Sequence, residues 1–341
     1  LILTFGAGAI LAGVGVADAL MQPARTYLQI VGGFCILNAL IPICSSYLRA
    51  FGFSKEPLYA SIIGNVINFC LNAFFLFVLH KGVAGVATAT VISRIINLVI
   101  VVLLGAVLVK AKQHPERESN RAVMGQIIRI GLPSACETAI YNVSMTLVIR
   151  FLNQMDAQGL NVTARSYTMQ ITNFSYCVGA ALAQANAIMT GWHIGAKEYD
   201  ACDRGTKKAA VIGVIVAVIL ETVFTLCSGW IMQLFSKDPQ MVSLVGKLLA
   251  IDIVLEIGRV TNLVYGQALK TSGDAVFPVV MGACFMILCS VGGTYLFGIR
   301  LGLLAVGAYI GMTGDECVRA VGMYLRWKSG KWKEKGLVKS R

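Results

Sequence analysis

Charge is scarce in this sequence. Asp, Glu, Lys and Arg make up 13% of its 341 residues, where a soluble domain carries about 25%. Hydrophobic residues make up 57% and the mean hydropathy is +0.73. One large soluble domain is excluded, because its core cannot hide that much apolar surface. Catalytic motifs are missing as well. The chain has no HExxH, no GxSxG, no paired aspartate motif for prenyl diphosphates and no GxxxxGK phosphate loop. Their absence argues against a membrane enzyme and against ATP-driven work within this chain. The ten cysteines are spread out, with no CxxC pair or histidine cluster beside them. Nearly all sit inside hydrophobic runs and read as small apolar packing residues, not as ligands or disulfides.

What is present is a series of long apolar runs. A membrane helix needs about 20 mostly apolar residues, and ten such runs are read at 1–20, 25–48, 57–80, 83–109, 126–152, 161–189, 207–235, 240–268, 276–298 and 301–325. Lipid offers the backbone no hydrogen-bond partner, so each run should be helical. The runs do not alternate as ten-residue strands, which argues against an outer-membrane barrel. The expected fold class is an all-α polytopic membrane protein with ten visible transmembrane helices.

The net charge of +12 follows the same layout. Lys110, Lys112, Arg117 and Arg121 fall between runs four and five, and Lys197, Arg204, Lys207 and Lys208 between six and seven. Arg326, Lys328, Lys331, Lys333, Lys335, Lys339 and Arg341 follow run ten. Even numbers of helices separate these sites, so they share one side. The alternate loops hold only scattered cations: Arg25, Lys81, Lys237 and Arg300. Short loops rich in Lys and Arg stay cytoplasmic, so the central loop and the carboxyl terminus are expected there. The charge is topological, and no nucleic-acid partner is expected.

The chain also repeats itself. "LRAFGFSKEP" (Leu48 to Pro57) and "LKTSGDAVFP" (Leu269 to Pro278) share a Leu, a basic residue, a Gly and a Pro at the same spacing, 221 residues apart. An apolar helix follows each, and then "GVAGVATAT" from Gly82 and "GLLAVGAYI" from Gly302, offset by 220. The expected organisation is a partial first bundle of four helices (1–109), a basic cytoplasmic linker (110–125), a second bundle of six helices (126–325) and a basic cytoplasmic tail (326–341). Counted back by the repeat offset, the first half begins well before Leu1. The visible helices are therefore expected to be what remains of a 6+6, internally repeated twelve-helix protein, with two helices upstream. Repeats of this kind are common in secondary transporters, where one half rocks against the other; a channel fits them less well.

"GLPSACETAIYNVS" from Gly131, "GWHIGAKEYDACDRGTKKA" from Gly191 and "ALKTSGDAVFP" from Ala268 resemble the multidrug and toxic compound extrusion (MATE) transporters. The resemblance covers essentially the whole chain, from the third family helix to the twelfth. It implies two six-helix bundles around a central cleft, alternating access, and antiport of organic cations against sodium or protons. It also implies a place in the inner (cytoplasmic) membrane, small cationic substrates and membrane lipids as partners, and no cofactor beyond the coupling ion. The chain is expected to act as a monomer.

Ionisable side chains inside a membrane cost about 2.5–3.5 kcal/mol each, so they should face a cavity or a partner. Glu137 lies four residues after Pro133, one turn from an expected kink. A carboxylate in a low-dielectric cleft exchanges protons or pairs with a cation; the alternative is a group solvated near the interface or bonded to a neighbouring helix. The resemblance supports Glu137, since an acidic residue near this point of the seventh family helix faces the cleft. On the eighth run Asp252, Glu256, Arg259 and Asn262 share one face. Glu256 and Arg259 read either as a pair that opens when cargo or ion arrives or as a permanent structural pair. Where some relatives carry a cleft acid on this helix, Arg259 stands here, which puts simple cation binding at that point in question.

Tyr141, Asn142, Tyr167, Gln170 and Asn173 add polar groups to the fifth and sixth runs, as cargo contacts or as glue between helices. The candidate substrate and ion site is thus Glu137, Glu256, Arg259, Asn262, Asn142, Tyr141, Tyr167 and Gln170, with no metal ligands. Glu221 and Arg94 are lone charges expected to snorkel or pair, and Asp315, Glu316 and Arg319 are expected to pair locally. The "GWHIGAKEYDACDRG" loop reads as charge capping and headgroup contact, with His193 as a loop histidine. An acidic residue on the family's first helix has no counterpart in this chain, and Asp18 is not a substitute. The competing function is a flippase or exporter of lipid-linked or other amphiphilic cargo. Its cleft should be rich in cations, whereas Glu137 and Glu256 oppose Arg259 here.

Overall fold

A computed structural model of the chain describes residues 2–8, 11, 18–110, 120–156 and 159–335. Much of the first expected run, the core of the central linker (111–119) and the last six tail residues (336–341) lie outside the described residues. The chain divides into two compact units, residues 1–116 and 117–341. Among the described residues, every regular element is helical.

The first unit holds α1 (Ile2–Phe5), α2 (Asp18–Gly33), α3 (Leu37–Ala50), α4 (Lys55–Ala73), which continues into a π-helical segment Phe74–Val78, and α5 (Gly82–Lys110). α5 is its centre and packs against α2, α3 and α4. Leu48, Ala60, Val101 and Val109 close the contact. The polar stretch around Asp18, Gln22 and Arg25 breaks the apolar run but not the backbone, so α2 already begins at Asp18. A helix pays no hydrogen-bonding penalty for a polar side chain, only for a lost backbone partner.

The second unit holds α6 (Asn120–Met155), α7 (Leu160–Gly195), α8 (Tyr199–Leu226), a short α9 (Ser228–Met232), α10 (Pro239–Thr271), α11 (Val276–Phe285), π-helical segments Met286–Val291 and Thr294–Arg300, α12 (Leu304–Lys328) and a 3₁₀ turn, Lys331–Lys335. α10 is the pillar, packed against α7, α8 and α12. Asp238 caps it by accepting the Gln240 N–H at 3.0 Å, with Pro239 in the first turn, as an amino-terminal cap requires. Leu248, Leu249, Leu255 and Tyr309 build one half of the core. Val260, Val264, Leu269, Trp327 and Trp332 build the other.

Met21–Ala50, Lys55–Val78, Gly82–Val109, Tyr199–Leu226 and Val276–Arg300 are long and apolar enough to cross a membrane by length and composition. α6, α7, α10 and α12 are equally long, but polar side chains dilute them. Those same four helices line the cavity described below.

The sequence echo is a geometric echo. Gly52 and Gly273 both sit in the left-handed region, at φ 89° and 91°. Phe53 N–H bonds to Leu48 O at 3.0 Å, and Asp274 N–H to Leu269 O at 2.9 Å, the six-residue closure of a glycine-ended helix. The π-helical ends match too: Lys81 N–H bonds to Phe75 O, and Leu303 N–H to Phe297 O. Gly82 directly after Lys81 and Gly302 directly before Leu303 have φ 51° and 69°. Gly52→Ala and Gly273→Ala are each expected to cost about 1–2 kcal/mol, the strain of a Cβ in that region. Thermal unfolding in detergent reads this out, and a variant melting with the wild type would contradict it.

Residues 326–335 fold back on the second unit. Trp327 and Trp332 stack at 4.2 Å, Trp332 Nε1 donates to Trp327 O, and Trp327 Nε1 donates to Asp203 Oδ1. Arg326 and Lys335 hold the buried Asp274 at 2.6 and 2.7 Å. Burial alone would raise the Asp274 pKa, but these two cations outweigh it and hold the carboxyl below its ordinary 3.8. A carboxylate with a depressed folded value gives stability that is full above the unfolded value and lost as pH falls through the folded one. Residues 326–335 are therefore expected to stay docked at every pH above the ordinary carboxylate value of 3.8 and to loosen only as pH falls below it. Tryptophan fluorescence against pH measures this, and Asp274→Asn should show the loosened signal at neutral pH.

Candidate functional site

A cavity of about 550 Å³ lies within the second unit. Each wall helix presents one stripe at three- and four-residue spacing, the spacing of a single helical face. α6 gives Glu137, Thr138, Tyr141, Asn142 and Met145, and α7 gives Arg165, Met169, Thr172, Asn173 and Tyr176. α10 runs its polar side along the cavity from Asp252 through Arg259, Asn262 and Gln267 to Lys270, and α12 adds Tyr309, Met312, Asp315, Glu316, Arg319 and Met323. Pro278, Met286 and Ser290 close it from the α11 side.

The wall carries four acidic residues, Glu137, Asp252, Asp315 and Glu316, and four basic ones, Arg165, Arg259, Lys270 and Arg319. Lys270 Nζ sits 2.6 Å from Glu137 Oε2, joining α10 to α6. Arg259 bonds to Glu256 one turn earlier, lies 3.9 Å from Glu316 and faces the Tyr176 ring at 6.0 Å. Arg319 grips Asp315 with two bonds, at 2.8 and 3.0 Å, and reaches Glu316 at 2.9 Å. Asn262 Nδ2 donates to Glu316 and Ser290 Oγ to Asp315. Glu137, Asp315 and Glu316 are thus each held by a base, whereas Asp252 and Arg165 have no ion pair among the described residues. Five methionines, Met145, Met169, Met286, Met312 and Met323, interleave with them; such flexible side chains adapt to varied apolar shapes.

Of the residues singled out in the sequence, Glu137, Tyr141, Asn142, Asn173, Asp252, Arg259 and Asn262 line this cavity. Glu256 lies behind the wall, fully buried, under Arg259. Tyr167 and Gln170 fall off the α7 stripe: Tyr167 packs on Phe235 with ring centroids 5.3 Å apart, and Gln170 is exposed elsewhere. Asp315, Glu316 and Arg319 do pair locally, and they line the cavity as well. Arg165 and Lys270 are wall residues that sequence reading passed over. Lys270 carried a signal, since it is the basic residue of the repeated motif. Glu221 is not alone: its ligand atom and those of Asp252 and Glu256 lie within 4.8 Å of one another.

The sequence profile of the MatE family matches residues 1–74 and 133–296. The chain is 34% identical over 343 residues to the uncharacterized transporter YisQ of Bacillus subtilis (strain 168), covering 99% of this chain and 75% of that protein. It is 21% identical over 326 residues to a probable multidrug resistance protein NorM of Thermotoga maritima, covering 92% of this chain and 68% of that one. Among solved structures, the eukaryotic MATE transporter AtDTX14 shares the fold with a TM-score of 0.84 at 18% identity, over 96% of this chain and 74% of that one.

Proposed function

Because this chain belongs to the MatE family of multidrug and toxin extrusion transporters, we propose that it exports organic cations across the cytoplasmic membrane in exchange for sodium or protons, with its carboxyl terminus in the cytoplasm. The observation that carries this reading is the occupied acid: Glu137 already holds a cation, and that cation is the protein's own Lys270. A cationic cargo takes the place of the Lys270 ammonium and uncouples α10 from α6. A sodium ion or proton at the same carboxylate then excludes the cargo. One site that holds cargo or ion, but not both, is the requirement for antiport.

The methionine-lined wall supplies apolar area without fixed shape, which suits bulky cations of varied outline. The balanced charge count weighs against a flippase for pyrophosphate-linked lipids, whose cavity needs an excess of bases. The test uses cells lacking their own pumps and expressing the full reading frame, loaded with a fluorescent organic cation. Efflux should follow a sodium or acid pulse. Glu137→Gln should abolish it, and Lys270→Gln should tighten cargo binding while weakening the response to the ion. Ion-driven efflux that survives Glu137→Gln would refute the assignment.

A further inference from the structure

Among the described residues, the cavity wall holds one base with no anionic partner. Arg165, on α7, lines the cavity and is only 7% exposed. Its Nη2 faces the Met145 Sδ of α6 at 3.7 Å, and a thioether is a weak acceptor. Its Nε has no hydrogen bond. The acids that could serve it are engaged elsewhere or stand apart. Glu137, Asp315 and Glu316 are held by Lys270 and Arg319. Asp252, the remaining wall acid, leaves its own Oδ2 unbonded. Asp156, the acid closest in sequence, accepts the N–H groups of Leu160 and Asn161. An arginine keeps its charge inside a protein, and a buried charge is costly unless paired. In a membrane protein such a residue marks a functional position. The guanidinium is an open fork of donors, whose planar complement is a carboxylate.

We propose that Arg165 is an anion seat within the cargo cavity, taking the carboxylate arm of a dipolar cargo whose cationic end sits at Glu137. Both seats open on one cavity. Glu137 and Met145 line it from α6, eight residues apart, which is about 12 Å of helix. Arg165 stands against Met145, so a cargo spanning the seats carries its two charges on the order of 10 Å apart. Met145 and Met169 give the skeleton near the anion seat an adaptable apolar wall. The unpaired guanidinium repels a cargo that is a cation alone and attracts one that also has an anionic arm. It therefore selects among organic cations by what else they carry. The proposal rests on the export reading above, since it uses the same cavity and the same Glu137 seat, and binding is measurable without any transport.

The experiment is fluorescence polarisation of a rhodamine free acid, which is dipolar at neutral pH, and of its methyl ester, which is a cation only. Each dye is titrated with the purified protein in detergent and chloride-free buffer. Wild type should bind the free acid more tightly than the ester. Arg165→Gln should lower the acid-to-ester affinity ratio by about tenfold or more, the worth of a hydrogen bond to a charged group. Arg165→Lys keeps the charge without the fork and should fall between the two; it keeps the test alive if Arg165→Gln does not fold. A ratio unchanged in the variants that fold overturns the seat, as does a wild type that favours the ester. Displacement of the free acid by an equal concentration of chloride overturns it too, since Arg165 would then hold an inorganic anion. Arg165-dependent binding of the acid without ion-driven efflux would sink the export reading alone; efflux with Arg165-independent binding of the acid would sink this seat alone.

Discussion

Replacing Arg319 with methionine is expected to cost about 3–5 kcal/mol, the range for breaking a buried ion pair by removing one partner. Arg319 is 4% exposed. Its guanidinium meets both oxygens of Asp315 and one of Glu316, a forked geometry that only arginine offers. Methionine fills much of the same volume, so packing is nearly conserved and the loss is electrostatic. Asp315, itself 2% exposed, keeps only the Ser290 hydroxyl. Glu316 keeps Asn262 and the more distant Arg259. The double variant Arg319→Met with Asp315→Leu should recover part of the loss, because it removes the stranded charge as well as its partner. Thermal unfolding followed by size-exclusion in detergent measures both. A single variant that melts with the wild type would show that the pair contributes nothing.

Gly258→Val is expected to exceed the about 1–3 kcal/mol of ordinary overpacking. A Cβ at Gly258 on α10 would stand 2.9 Å from Cys317 N and 2.9 Å from Glu316 C, both backbone atoms of α12. A side chain in the way can rotate; a backbone cannot, so the two helices must part. Small residues at such crossings are what lets membrane helices approach. Parting them moves Glu316 away from Asn262, which joins α10 to α12 at 3.0 Å inside the cavity, so the proposed cation efflux should fall along with stability. Gly314→Ala on α12 is the control, since a Cβ there meets nothing within 4 Å. It should fold as wild type or slightly better, alanine being the better helix former. Equal behaviour of the two variants would refute the close-contact argument.

Helices and the repeat were legible in the sequence because both are local. Apolar length fixes a helix in lipid, and Gly52 and Gly273 announce their turns as glycines three residues after a basic residue, Arg49 and Lys270. Pairs on one helix were legible for the same reason: Glu256 with Arg259, and Asp315 with Arg319. What crosses between helices was not. Glu137 and Lys270 are 133 residues apart, and no spacing rule connects them. Glu221 looked solitary because its companions stand on α10. Tyr167 and Gln170 show a different limit. A helix with polar groups on several faces does not reveal its rotation about its own axis.

At the cargo seat proposed for Glu137, the Lys270 contact has a consequence for selectivity. An ammonium on a short flexible tether is present at its own binding seat at an effective concentration on the order of millimolar. Every free cation must therefore outcompete an incumbent that never diffuses away. A small inorganic or amine cation brings little besides its charge and is held at that threshold. A bulky cation brings apolar area to Met145, Met169, Met286 and Met312 in addition, and passes it. Under the proposed cation export, the tethered lysine works as a high-pass filter: it spares the cell's small, polar, abundant cations and leaves greasy, scarce ones as the cargo that wins the seat.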